Sequence, residues 1–139
     1  MYRVEHGDWV PGAVLRVYSR RRSVWHFGIA DEWGQSGPMV MHASKDHGQF
    51  VLTTCAEFSE GQEPQYVQLP DSLEVRQAIL QRAESLLGRP YHLLNANCED
   101  YVNWIVTGVA RSPQRETAAF IAVLGLIAFG LMKFASTAR

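Results

Sequence analysis

Cysteine is scarce in this chain: Cys55 and Cys98 are the only two in 139 residues. Two are too few for the disulfide framework of a small secreted scaffold, although a single bridge stays open. No C-x-x-C or H-E-x-x-H spacing occurs, so no patterned zinc ligand set is present and neither metal nor cofactor is expected. Basic excess is missing as well. A formal charge of −1 offers no cationic stripe for a phosphate backbone, and nucleic acid is excluded as an expected partner. The opening MYRVEHGDWVPGAV has no basic stretch leading into an apolar run, which argues against a secretory signal and for a domain facing the cytosol. Internal repeats and low-complexity tracts are also absent.

What remains is a globular composition, 47% hydrophobic, in a length that suits one domain with an appended segment. The appended segment is visible at the C-terminus. AAFIAVLGLIAFGLM, Ala118 to Met132, holds no charged side chain. As a helix it would rise roughly 22 Å, against a hydrocarbon core of about 30 Å. Flanking Thr117, Phe134 and Ala135 lengthen it, and Lys133 can snorkel to the interface. Its shortness fits a buried core helix. Its apolar character on all faces, with small residues at Ala118, Ala122, Gly125 and Gly130, fits a membrane helix better. The expected organisation is therefore a domain over 1–110, a linker over 111–117 containing Pro113, and a transmembrane anchor over 118–135. Basic residues flank that anchor on both sides (Arg111 and Arg115 before, Lys133 and Arg139 after), so they do not set its orientation.

Within the domain, five short runs rich in β-branched and aromatic residues read as strands: Ala13–Ser19, Val24–Ala30, Met39–Ser44, Phe50–Cys55 and Tyr66–Leu69. Turn material separates them at Arg20–Arg22, DEWGQSGP, KDHG and SEGQEP. The period then changes. In PDSLEVRQAILQRAESLLGRP, Val75, Ile79, Ala83 and Leu86 fall at helical spacing, with Asp71 and Glu74 as a capping box and Gly88 and Pro90 as a stop. A second helix opens in NANCEDYVNWIVTG, with Asn97 as N-cap, Gly108 as terminator and Tyr101, Val102, Ile105 and Val106 as its buried stripe. The fold class expected is α+β, a small antiparallel sheet packed with helices, plus the C-terminal apolar helix.

Cys98 would stand at the first position of that second helix. Cysteine is commonly a small core residue. At a helix N-terminus, though, the dipole and the unpaired N–H groups favour thiolate and can stabilise an oxyanion. Such a nucleophile needs a histidine base oriented by a third group. His26, in VWHFGIA, shares a strand face with Val24, Gly28 and Ala30, and the last two leave room beside an imidazole. His42 lies on the next strand, close enough across an antiparallel pair to hydrogen-bond His26. Either ring can equally be a strand histidine satisfied by backbone, and a zinc site from Cys98, His26 and His42 is a lesser alternative. Cys55 reads as strand packing and His47 as a solvated turn residue. His6 and His92 carry no mechanical role beyond a minor site-lining one for His92. SRRRS, Ser19 to Ser23, reads as a solvated hairpin tip that can meet anionic headgroups on an anchored protein.

EHGDWV, HFGIAD, VMHAS and GRPYHLLNANCEDYVNW followed by TGVARSPQ resemble the lecithin retinol acyltransferase-like domain, among the permuted papain-like, NlpC-type thiol enzymes. The resemblance covers roughly Glu5 to Gln114. It implies Cys98 as nucleophile, His26 as general base and His42 as the orienting third member. It also implies a single C-terminal membrane helix and acyl transfer from a phospholipid ester, through an acyl-cysteine, to water, an amine or an alcohol. A lipid acyl donor, an acceptor and the membrane are then the partners. Two departures stand out. DEWGQSGPM is longer between the histidines than the family pattern, and Asp100 stands where a histidine is common after Asn-Cys-Glu. Two alternatives use other chemistry: a cysteine peptidase or amidase with the same site, and a membrane-tethered binding or regulatory module without catalysis.

Overall fold

A computed structural model describes residues 9–92 and 101–109, with the backbone alone for 98–100. The chain divides into two units, Met1–Gly108 and Val109–Arg139. The expected linker and apolar segment of the second unit lie outside the described residues, as do Asn97 and His6. Among the described residues no helix is long and apolar enough to cross a membrane.

The strands are β1 (Val14–Ser19), β2 (Val24–Gly34), β3 (Gly37–Ser44), β4 (Gln49–Thr54) and β5 (Gln65–Gln68). They form one antiparallel sheet in the order β4-β3-β2-β1-β5. The helices are α1 (Cys55–Ser59), α2 (Leu73–Leu86) and α3 (Cys98–Thr107). The α+β expectation for the domain therefore holds, and each of the five strands falls where the β-rich runs predict it.

Three local readings are corrected. DEWGQSGP is not a long turn: β2 and β3 continue through it to a tight connection, with Trp33 opposite Pro38 and Gly34 opposite Gly37. The extra residue is absorbed as an irregularity between Ala30 and Trp33, beyond His26, so it leaves the facing of the histidines intact. Cys55 does not end a strand; it begins α1. Thr54 caps that helix, its hydroxyl accepting from Glu57 N–H at 3.2 Å, a cap that Thr54 and Glu57 signal in the sequence. The N-cap of α2 is Ser72 rather than Asp71, its side chain accepting from Val75 N–H at 3.1 Å.

Because the central strands are covered on both faces, alternation sorts their side chains into two cores. Val14, Ile29, Met41, Ala43 and Phe50 pack with Ile79 and Ala83 of α2 and Tyr101, Val102 and Ile105 of α3. Leu15, Val17, Ala30 and Val40 pack instead with Phe58 of α1. α3 buries Tyr101, Val102 and Ile105 of its expected stripe, with Val106 partly buried, and ends at Gly108, which takes a positive φ of 71° and donates to Trp104 O at 2.7 Å.

Two connections hold the site's surroundings in place. Residues 88–91 are stitched to the start of β4: Gly88 N–H donates to Phe50 O at 2.9 Å, Phe50 N–H to Arg89 O at 2.9 Å, and Tyr91 N–H to Gly48 O at 2.8 Å. Arg82 of α2 reaches the end of α3, donating from Nε to Ile105 O at 2.6 Å and from Nη2 to Val106 O at 3.1 Å. Those carbonyls lie in the last turn of α3, where a cation also meets the negative end of the dipole. Arg82→Met, which keeps the stem and removes the charged donors, should lower unfolding stability by about 1–3 kcal/mol in a urea titration. An unchanged midpoint would show that these bonds carry no net stability.

Candidate active site

His26 and His42 meet on the face of the sheet that α1 covers. Gly28 stands directly opposite His42 in the β2–β3 ladder, so His26, two residues earlier, is its diagonal neighbour on the same face. His26 Nε2 lies 2.9 Å from His42 Nδ1, with the rings nearly perpendicular and their centroids 5.0 Å apart. β4 repeats the geometry on the other side. Thr53 pairs with Val40, two residues from His42, and its Oγ1 lies 2.8 Å from His42 Nε2. A hydrogen-bonded row thus crosses three strands: His26, His42, Thr53.

Phe58 closes this row from above, with its ring centroid 5.1 Å from each imidazole. The space that admits Phe58 comes from Gly28. A Cβ there would stand 2.6 Å from Val40 Cγ1 and 2.9 Å from Phe58 Cε2. The expectation that Gly28 leaves room is met, and the group using that room is Phe58. Burial is the main electrostatic consequence. It holds His26 down at about 4, with the Arg22 guanidinium adding to the effect and Glu60 opposing it. Burial likewise pushes His42 down to about 3, helped by His26, His47 and Arg22. Both rings are therefore neutral near pH 7 and able to accept protons.

A cavity of about 220 Å³ opens beside the pair, lined by His26, His42, Phe58 and Ala43 and by Tyr91 and Tyr101. Tyr101 lies on α3 one turn after Cys98. The backbone of Cys98 opens α3 as expected, and its side chain lies outside the described residues. The mouth is charged and aromatic. Arg21 pairs with Asp46 at 2.7 Å and Glu60 at 3.3 Å, and Arg22 pairs with Asp46 at 2.9 Å. Glu60 also accepts from Ser19 Oγ at 2.9 Å, the leading reason its carboxyl sits below the usual range. Trp25 and Val24 stand half exposed on the same rim.

A family model described as lecithin retinol acyltransferase matches residues 12–111. The chain belongs to the lecithin retinol acyltransferase family. It is also similar to the human protein named Phospholipase A and acyltransferase 3, with 48% identity over 59 residues. That stretch is 39% of this chain and 36% of the human protein. No solved structure matches the chain significantly.

For this family member the structure brings His26 and His42 together. Elsewhere the structure adds detail. SRRRS forms the largely exposed turn between β1 and β2 as expected, and its Arg21 and Arg22 are in addition ion-paired to the neighbouring turn and to the end of α1. His47 is 43% exposed, yet both ring nitrogens are engaged, Nδ1 with Ser44 Oγ at 2.8 Å and Nε2 with Glu57 at 3.4 Å. Cys55 is half buried against the α1-side core, away from any ladder position, and burial pushes its thiol up. His92 is exposed. Among the described residues no group of three His, Cys, Asp or Glu could hold a metal ion. Thr53 and Phe58 went unread. Pairing across the four-residue KDHG turn would have put Thr53 beside His42; nothing comparable marks Phe58.

The depressed histidines set the acid stability of the fold. An unfolded chain binds protons at these rings near pH 6.5, whereas the folded one resists until about 4 and about 3. Their contribution is fully present above pH 6.5 and is lost as pH falls through that window, on the order of 3 kcal/mol for His26. Urea midpoints should drop between pH 6.5 and 4.5, and His42→Gln should flatten that slope. A wild-type midpoint level from pH 7 to 5 would contradict it. Gly28→Ala should destabilise by about 1–3 kcal/mol by displacing Phe58, and near-wild-type stability would show that the site repacks freely.

Proposed function

We propose that this chain is a membrane-associated thiol acyltransferase or phospholipase-type acyl hydrolase acting on lipid esters through an acyl-cysteine intermediate. The observation that carries it is the 2.9 Å His26–His42 contact at the wall of a cavity that α3 also lines. Family membership and the likeness to a phospholipase A and acyltransferase point to the same chemistry.

In this reading His26 takes the thiol proton of Cys98, and the thiolate attacks the ester carbonyl carbon. The carbon–sulfur bond forms as the carbon–oxygen bond breaks, and the imidazolium returns the proton to the leaving alkoxide. Water or an acceptor then attacks the thioester, giving its proton to His26 and releasing Cys98. The N–H groups opening α3 are the donors suited to the oxyanion. His42 holds His26 in place. His26 is neutral at pH 7 and so has a lone pair to receive the proton, and the burial that lowers its proton affinity favours handing that proton on to the leaving group.

Membrane association rests on the apolar segment 118–135 as a single-pass anchor, with the domain facing the cytosol. Support comes from the rim, where exposed Trp25 and Val24 accompany exposed Arg21, and the Tyr18 ring packs edge-on against Trp25 at 5.4 Å. Indole and phenol rings favour the headgroup region, and arginine favours anionic lipid. A chain so held would keep its cavity near lipid esters.

Incubation with a phosphatidylcholine vesicle or an activated ester should leave an acyl mass on Cys98 that hydroxylamine removes. Cys98→Ser should lose the adduct and at least about 100-fold in turnover. Absence of an adduct with undiminished turnover in Cys98→Ser would overturn the mechanism. Faster turnover of amide than of ester probes would favour a peptidase or amidase, and full cellular function in a folded Cys98→Ala chain a binding module.

A further inference from the structure

We propose that Thr53 is a positioning residue: acting through His42, it holds His26 in the tautomer whose Nδ1 accepts a proton. The inference deepens the thiol-enzyme reading above and rests on it for its catalytic consequence, but its structural content stands on the hydrogen-bonded row alone.

A threonine hydroxyl has one proton to give and two lone pairs to offer. Thr53 Oγ1 has two partners, the Thr54 carbonyl at 3.2 Å and His42 Nε2 at 2.8 Å. The carbonyl can only accept, so the hydroxyl proton goes to Thr54 O. Thr53 Oγ1 must then accept from His42, which places the His42 proton on Nε2. His42 Nδ1 is left with a lone pair and accepts from His26 Nε2–H at 2.9 Å. His26 carries its proton on Nε2, and Nδ1 holds the basic lone pair.

The reversed row is also continuous, with Thr53 donating to His42 Nε2, His42 donating from Nδ1 and His26 protonated on Nδ1. That arrangement leaves His26 no lone pair for a thiol proton and gives up the hydroxyl's bond to the Thr54 carbonyl. Thr54 cannot easily turn that carbonyl elsewhere. It is the N-cap of α1, held at φ −66° and ψ 153°, with its own side chain bonded to Glu57 N–H. Thr53 is 6% exposed, so water is a poor substitute donor or acceptor. The end of β4 therefore fixes a direction for the whole row.

The direction survives protonation. When His26 Nδ1 takes the thiol proton, the sulfur–hydrogen bond breaks and a nitrogen–hydrogen bond forms. The Nε2–H still donates to His42, and no other proton has to move. His42 and Thr53 thus keep the same hydrogen bonds before and after the transfer, which lowers the reorganisation the step requires.

The test is imidazole ¹⁵N NMR on the full chain in detergent micelles at neutral pH, alongside turnover of a p-nitrophenyl ester. Wild type and Thr53→Ser should show both rings as Nε2–H tautomers and similar kcat. Thr53→Val should raise the Nδ1–H fraction at both rings and lower kcat about tenfold or more, with KM nearly unchanged. A wild-type His42 protonated on Nδ1 would overturn the proposal without any variant, as would Thr53→Val rings and kcat identical to wild type. If wild type forms no acyl-cysteine, the catalytic reading fails by itself, and the tautomers still decide whether Thr53 directs the row.

Discussion

The antiparallel register of β2, β3 and β4 is the constraint on which the candidate site depends. His26, His42 and Thr53 come from three strands and touch only because each is a diagonal neighbour of the next on one face. Side chains alternate with period two, so a slip of one residue in either ladder would send one member into the α2–α3 core. The register is held by what the opposite face buries. Ile29, Met41, Ala43 and Phe50 fill that core and cannot exchange places with histidines at tolerable cost. Apolar packing on one side thereby specifies polar geometry on the other.

Much of this was legible in the sequence, and the reasons differ by residue. The strands announced themselves through β-branched runs, and α3 through its apolar stripe and Gly108. His26 and His42 could be brought within reach of each other because they fall on successive strands expected to pair antiparallel. DEWGQSGPM was misread because Gly and polar residues signal turns locally, whereas the pairing that extends β2 and β3 is non-local. α1 was missed because five residues are too few to show a period, leaving only the Thr54 and Glu57 cap as a signal. Phe58 gave no sign, since its role depends on a void that Gly28 makes in another element.

Electrostatics around the cavity follow a gradient from dry to wet. Deepest, Thr53 and His42 are nearly closed to solvent, and their partners are matched one to one. At His26 the cavity begins. At the rim, Arg21 and Arg22 share Asp46 and Glu60, an exposed network that salt and water can loosen. Arg22 is also close enough to help depress both imidazoles. The rim therefore does more than decorate the entrance: the positions of its guanidinium groups bear on the proton affinity of the rings behind them.

β4 has a second duty. Near its start, Gly48 and Phe50 take in the Gly88–Tyr91 segment, whose Tyr91 lines the cavity, and near its end Thr53 receives His42. Thr53 lies three positions after Phe50, about 10 Å along extended backbone. One short strand is thus a common ruler for a cavity wall and for the hydrogen-bonded row. Any sideways shift of β4 would displace both together rather than open a gap between them. In mechanical terms Tyr91 and the receiving end of the row are gauged from one edge strand, so these two parts of the site keep their spacing when that strand moves.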